Sequence, residues 1–229
     1  MTTLFISDLH LDEARPQIIE QFTRFLSNDA RHAEALYILG DLFESWIGDD
    51  DDAALANLVA NALRSVRDTG VPVYFMHGNR DFLLGQDYAT RAGMTLLRDP
   101  TVIELNGQRT LLMHGDTLCT DDIEYQKFRT LVRDPQWQRQ FLSKSLTERR
   151  AFAAQARGES RQHTSTAKPE IMDVNQTAVE AAMTAHGVTR LIHGHTHRPA
   201  THRFELGKKV AERIVLGDWY EHSSVLNLG

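Results

Sequence analysis

Short apolar runs along this chain stop abruptly at small polar clusters. Leu4–Ile6 leads into Ser7, Asp8, Leu9 and His10, and Ala35–Leu39 leads into Gly40 and Asp41. Val73–Met76 leads into His77, Gly78, Asn79, Arg80 and Asp81, and Thr110–Met113 into His114, Gly115 and Asp116. Leu191 and Ile192 lead into His193, Gly194, His195, Thr196 and His197. Runs of this length, rich in β-branched and aromatic residues and stopped by Gly, Asn or Asp, predict buried strands. Between the first three, residues 16–30 place Ile18, Ile19, Phe22, Phe25 and Leu26 on one helical face. Residues 53–67 do the same with Leu55, Leu58, Val59, Ala62, Leu63 and Val66. Alternating strands and helices predict an α/β sheet carrying helices. Ligands of such sheets bind at the carboxyl ends of the strands, which is where the polar clusters fall.

Asn106-Gly107, between Val102–Leu105 and Thr110–Leu112, predicts a tight hairpin. Thr201–Phe204, Arg213–Leu216 and Val225–Leu228 read as a closing set of strands. No repeat or linker divides residues 1–229, so one domain is expected. Residues 121–165 differ: they read as helical and locally basic, an insertion lying over the site. Within them Trp137, Phe141, Leu142, Leu146, Phe152 and Ala153 recur at roughly helical spacing, with Arg139, Lys144, Arg149, Arg150, Arg157 and Arg161 between them. A basic amphipathic stretch suits an anionic membrane surface or a channel for acyl chains, and equally a packed helix with a solvated charged face.

Composition narrows the class. Apolar residues make up 41% and charged residues 24% of the 229, ordinary for a globular protein. The formal net charge of −6 argues against general nucleic-acid binding, and no obligate protein partner is evident. No apolar stretch approaches the roughly 20 residues of a membrane span. The start of the chain lacks signal-peptide features, and the single Cys119 permits no internal disulfide. A cytoplasmic location is therefore expected.

The chemistry lies in the polar clusters. Hard divalent cations in catalytic sites take carboxylate, amide and imidazole ligands. Asp8 and His10 are two apart just after a strand; extended residues at i and i+2 point the same way, so both are expected to reach one ion. Asp41 can bridge two ions with its two oxygens, Asn79 offers an amide oxygen, and His114, His195 and His197 offer imidazoles. These ligands suffice for two ions sharing a carboxylate, and the set accepts Mn²⁺, Fe²⁺, Zn²⁺ or Co²⁺. Alone, each cluster reads as an ordinary turn; five at five strand ends do not.

Asp-x-His, Gly-Asp, Gly-Asn-x-Asp, His-Gly-Asp and Gly-His-Thr-His in this order resemble the calcineurin-like metallophosphoesterases. The resemblance implies two facing mixed β-sheets flanked by helices around a dinuclear centre. It implies a first ion held by Asp8, His10, Asp41 and His197, and a second held by Asp41, Asn79, His114 and His195. The stretches Ala35–Asp50, His114–Asp122 and Ile171–Gln176 resemble the branch of the family that acts in bacterial lipid A synthesis. That branch implies Mn²⁺-dependent cleavage of the pyrophosphate of a lipid-linked nucleotide, UDP-2,3-diacylglucosamine. Water would attack the α-phosphorus and give UMP and 2,3-diacylglucosamine 1-phosphate, at the cytoplasmic side of the inner membrane. A dinucleoside polyphosphate hydrolase is the alternative on the same centre; a metal-free scaffold would lack ligands that are all present here. Where many relatives carry a histidine after the Asn, this chain has Arg80, whose fork suits phosphate oxygens. Arg80 and His195 are the expected catalytic residues, since His195 can also touch the phosphate. Substrate contacts are implied for Asn79, Arg80, Asp122, Ser160 and His195. Thr164 stands where an Asn is usual, and Ala167 where a Lys is usual, with Lys168 beside it. His77, His193, Asp116 and Asp81 are expected to support the ligands.

Overall fold

The structure, a computed structural model, describes residues 2–166 and 171–229, with side chains except at 163–166. The chain runs β1 (Thr3–Ile6), α1 (Pro16–Asn28), a 3₁₀ turn (Ala30–His32), β2 (Ala35–Leu39), α2 (Ala54–Asp68), β3 (Val73–Met76), α3 (Gln86–Ala92) and β4 (Met94–Leu97). It continues with β5 (Thr101–Leu105), β6 (Gln108–Met113), a 3₁₀ turn (Asp116–Leu118), α4 (Ile123–Val132), α5 (Pro135–Leu142) and α6 (Leu146–Thr166). It closes with α7 (Gln176–His186), β7 (Arg190–His193), β8 (Ala200–Leu206), β9 (Lys209–Val215) and β10 (Leu226–Leu228).

Two five-stranded mixed sheets, ordered β10-β1-β2-β3-β4 and β5-β6-β7-β9-β8, form the body. β1, β2, β3 and β4 are parallel, as are β6, β7 and β9, while β10, β5 and β8 are antiparallel edges. The two-residue period of a strand sorts its side chains onto two faces. Leu4, Ile6, Leu36, Ile38, Val73 and Phe75 join the core under α1, α2 and α3. Phe5, Leu39 and Met76 meet Leu112, Ile192 and Ile214 of the other sheet between the two. Leu111, Met113 and Leu191 pack under α7 with Val179 and Met183. The apolar interior thereby fixes both sheets with the carboxyl ends of β1, β2, β3, β6, β7 and β9 at one rim.

The expected strands are all present, and Asn106 and Gly107 turn the β5–β6 hairpin with φ of 51° and 74°. The first expected helix ends at Asn28, and a 3₁₀ turn follows. The stretch over the site is three helices rather than one continuous pattern. Asp122 accepts from the Tyr125 amide at the start of α4, and Asp134 accepts from those of Gln136 and Trp137 at the start of α5. Such caps fix new helix starts. The elements α3, β4 and α7 were not expected from the sequence; in α3 and β4, seven largely polar residues and a four-residue run carry little periodicity, and Gly93, at φ 73°, joins those two.

Candidate metal centre

The loops after β1 and β2 are zipped together, with the amides of Asp8, His10 and Leu11 donating to the carbonyls of Gly40, Asp41 and Leu42 at 3.1, 2.9 and 2.9 Å. The Gly194 amide likewise donates to the His114 carbonyl at 2.8 Å, joining the loops after β7 and β6. The segments are not extended. Asp8, His10, Asp41, His195 and His197 have φ of 55°, 49°, 53°, 70° and 54°, all left-handed. This corrects the sequence argument: alternating left-handed residues, not strand geometry, aim these side chains. A non-glycine residue there costs on the order of 1 kcal/mol, and the surrounding hydrogen bonds hold it.

The aimed groups form two adjoining clusters. In the first, His10 Nε2 lies 3.2 Å from His197 Nε2, 3.9 Å from Asp8 Oδ1 and 3.8 Å from Asp41 Oδ2, and His197 Nε2 lies 3.4 Å from Asp8 Oδ1. In the second, Asn79 Oδ1 lies 2.9 Å from both His114 Nε2 and His195 Nδ1, and His114 Nε2 is 3.8 Å from Asp41 Oδ1. Asp41 thus faces one cluster with each oxygen. His195 and His197, two residues apart, serve different clusters. All seven expected ligands are brought together.

Partners behind the rings set their tautomers. His114 Nδ1–H donates to the Leu39 carbonyl at 2.8 Å. His10 Nδ1 lies 3.1 Å from Glu44 Oε2, and His197 Nδ1 lies 3.2 Å from Asp218 Oδ2. Each arrangement turns an Nε2 lone pair inward. Two such lone pairs 3.2 Å apart, with the buried Asp8 Oδ1 beside them lacking any hydrogen-bond partner, call for positive charge between them. Donor atoms of this kind at these spacings fit divalent cations. In their absence protons serve instead. Burial opposes charging of His114, yet Asp41, Asp116 and Asp8 raise its pKa to about 9. Burial also opposes His197, and Asp218 and Asp8 raise it to about 10. Burial drives His10 down to about 4 and, with the His114 charge, His195 to about 4. Burial raises Asp8 as well, but the charge of the nearby His197 brings it well below the carboxylate range.

Asp81 accepts from the amides of Leu42 and Gly78 at 2.7 and 2.9 Å, buttressing the loops that carry the ligands. Asp116 is buried and accepts from Tyr125 Oη and Arg129 Nε, both at 2.7 Å, tying α4 to the His114 loop. His193 is buried and accepts from Arg213 at 3.2 Å, and His77 bonds the Leu84 carbonyl at 2.6 Å.

Beside the second cluster a cavity of about 310 Å³ opens between the 79–83 loop and α4, α5 and α6. Trp46, Phe82, Phe128, Trp137, Phe141 and Phe152 are among its lining, and the Trp137 and Phe141 rings stack at 5.0 Å. Asn79, Arg80 and Ser160 also line it, with Arg80 Nη2 donating to Ser160 Oγ at 3.3 Å. Among the described residues Arg80 has no carboxylate partner. Asp122 sits away from that lining, as the cap of α4. The side chain of Thr164 and the whole of Lys168 lie outside the described residues.

Glu44 and Asp218 were not singled out by sequence. Asp218 had a signal: Ile214–Leu216 followed by Gly217-Asp218 repeats the pattern of Ile38-Leu39-Gly40-Asp41.

The sequence profile of the calcineurin-like phosphoesterases matches residues 1–199. A Stenotrophomonas maltophilia protein named UDP-2,3-diacylglucosamine hydrolase is 56% identical over an alignment covering 100% of this chain and 95% of its own. A protein of the same name from Xanthomonas oryzae pv. oryzae is 57% identical with the same coverage.

Proposed function

The chain belongs to the calcineurin-like phosphoesterase family, and from that membership we propose that it hydrolyses the pyrophosphate bond of UDP-2,3-diacylglucosamine. The products are UMP and 2,3-diacylglucosamine 1-phosphate, and the name of its relatives is the first support for this reading. The observation that carries it is the aromatic-lined cavity opening beside Asn79 and Arg80. Its run of apolar rings suits acyl chains, which bury against such a lining.

Asp8, His10, Asp41 and His197 would hold one divalent ion, and Asp41, Asn79, His114 and His195 the other, with Mn²⁺ the proposed metal. When bound, such ions polarise phosphoryl oxygens and acidify water. The chain's own groups do the rest. Asp218 holds the His197 ring through its Nδ1, and the Glu44 carboxylate stands 3.1 Å from His10 Nδ1. Arg80, which has no carboxylate partner among the described residues, offers its fork to the phosphate oxygens, where charge builds in the transition state. The leaving group is a phosphate ester and needs no strong acid, in keeping with arginine rather than histidine at position 80. Asn79, Ser160 and His195 meet the sugar phosphate at the mouth of the cavity, with Asp122, Thr164 and Lys168 as further contacts. The helices α4 to α6 act as a lid.

No helix among the described residues is long and apolar enough to cross a membrane. The proposed association with the cytoplasmic face of the inner membrane is peripheral. Ile123, Phe128 and Leu131 of α4, 57%, 40% and 55% exposed, would meet the lipid surface from which the substrate comes.

Metal-stripped protein with the diacylated substrate, with and without Mn²⁺, is the test. UMP released only with metal supports the reading. No release with any divalent ion, while a soluble phosphodiester is cleaved, discards the lipid substrate and retains the metal centre.

A further inference from the structure

We propose that Tyr220 and Arg15 form the stacking platform for the uracil ring of the substrate, on the side of the metal centre away from the acyl cavity. This rests on the uridine-nucleotide reading above and assigns the half of the substrate which that cavity leaves unplaced. Tyr220 stacks on His10 at 5.8 Å and 20° and meets His197 edge-on at 5.7 Å, yet remains 44% exposed. The Arg15 guanidinium lies over the Tyr220 ring, 5.0 Å from its centroid. Arg15 is itself fixed, donating to the His10 carbonyl at 2.7 Å and pairing with Glu44 at 2.9 Å. The Tyr220 amide donates to Asp218 Oδ1 at 3.1 Å, so the carboxylate that orients His197 also sets this loop. The platform is therefore rigid and registered on the first cluster.

Direction supports the assignment. Attack and departure at phosphorus are in line, so the acylated sugar phosphate leaves toward the cavity and the nucleoside projects elsewhere. Neither Tyr220 nor Arg15 lines the cavity, whereas Tyr125, the aromatic beside His195, does. Among the described residues Tyr220 is thus the exposed aromatic that touches candidate ligand rings outside the cavity. A flat base stacks on tyrosine and on a planar guanidinium, and lysine supplies charge without that plane.

The test is calorimetric binding of UMP and of inorganic phosphate to the metal-loaded full chain, as wild type, Tyr220→Leu and Arg15→Lys, with metal content measured for each. The wild type is expected to prefer UMP. Each variant should lose about tenfold in UMP affinity, the effect of a lost stacking partner, with phosphate affinity and metal content retained. Because Tyr220 packs on two ligand rings, its variant can lose metal; Arg15→Lys then decides alone. Variants that keep the wild-type ratio of UMP to phosphate affinity overturn the platform and leave the hydrolase reading standing. A wild type that turns over the diacylated substrate yet binds UMP no better than phosphate also overturns it. Failure of turnover itself counts against the hydrolase reading alone.

Discussion

Asp41 divides its two oxygens between the clusters, Oδ2 toward His10 and Oδ1 toward His114, and Oδ1 also accepts the Arg80 amide at 2.8 Å. Its replacement by Ala removes a ligand from both metals while leaving the apolar cores untouched. Turnover by Asp41→Ala should fall at least about 100-fold with the circular-dichroism spectrum preserved; full activity would defeat the dinuclear assignment. Glu44 acts one bond further out, through His10 Nδ1. Glu44→Gln should weaken metal binding by about 10- to 100-fold, read by competition with a chelating dye. The ligands themselves were legible because they stop apolar runs. Glu44 was not, because an acid five residues past a strand has no distinctive spacing and only the folded loop brings it to His10.

At the scale of the element, the rim loops depend on close backbone approach. A Cβ on Gly78 would stand 2.0 Å from Asp41 Oδ1 and 2.3 Å from the Asp41 amide nitrogen. Gly78→Ala must therefore displace the bridging carboxylate or its own loop, and metal binding should suffer more than the melting temperature does. Calorimetry with and without metal checks this. In the lid, Phe141 is 4% exposed within its aromatic cluster. Phe141→Ala should raise KM for the diacylated substrate and leave cleavage of a soluble phosphodiester near the wild-type rate; equal losses on both would refute an acyl-binding lid. Continuous apolar runs made the sheets readable from sequence, since Leu4, Phe5 and Ile6 announce two buried faces. The left-handed turns at Asp8 and His195 could not be read, because non-glycine residues reach that region only under tertiary constraint. The start of α4 was signalled by Asp122 and the break between α4 and α5 by Asp134-Pro135, which a single amphipathic reading of the stretch does not separate.

For the molecule as a whole, the centre is a concentration of titrating groups whose effects oppose one another. In metal-free protein His114 and His197 are raised to about 9 and 10. Their contribution to stability is complete below the unfolded value of 6.5 and is lost as pH climbs through 9 to 10. His10, His193 and His195 are lowered, mainly by burial, to about 4, 3 and 4. They destabilise the fold progressively as pH falls below 6.5. The melting temperature of the metal-free chain should therefore drop on both sides of neutrality. Bound cation replaces the protons on His114 and His197, so metal affinity should rise with pH and the alkaline loss should flatten. Melting curves from pH 5 to 10, with and without metal, test both statements.

The clusters draw Asp8, His10, Asp41 and Asn79 from the loops of one sheet, and His114, His195 and His197 from those of the other. Nearly 190 residues separate His10 from His197. Neither ligand set is complete in either half of the chain; each is completed when the sheets dock. Metal then cannot act as a template for early folding. Refolding rates should be the same in chelator and in excess cation, while unfolding slows with cation in proportion to occupancy. The ion, on this account, is a latch fitted after assembly rather than a nucleus around which assembly begins.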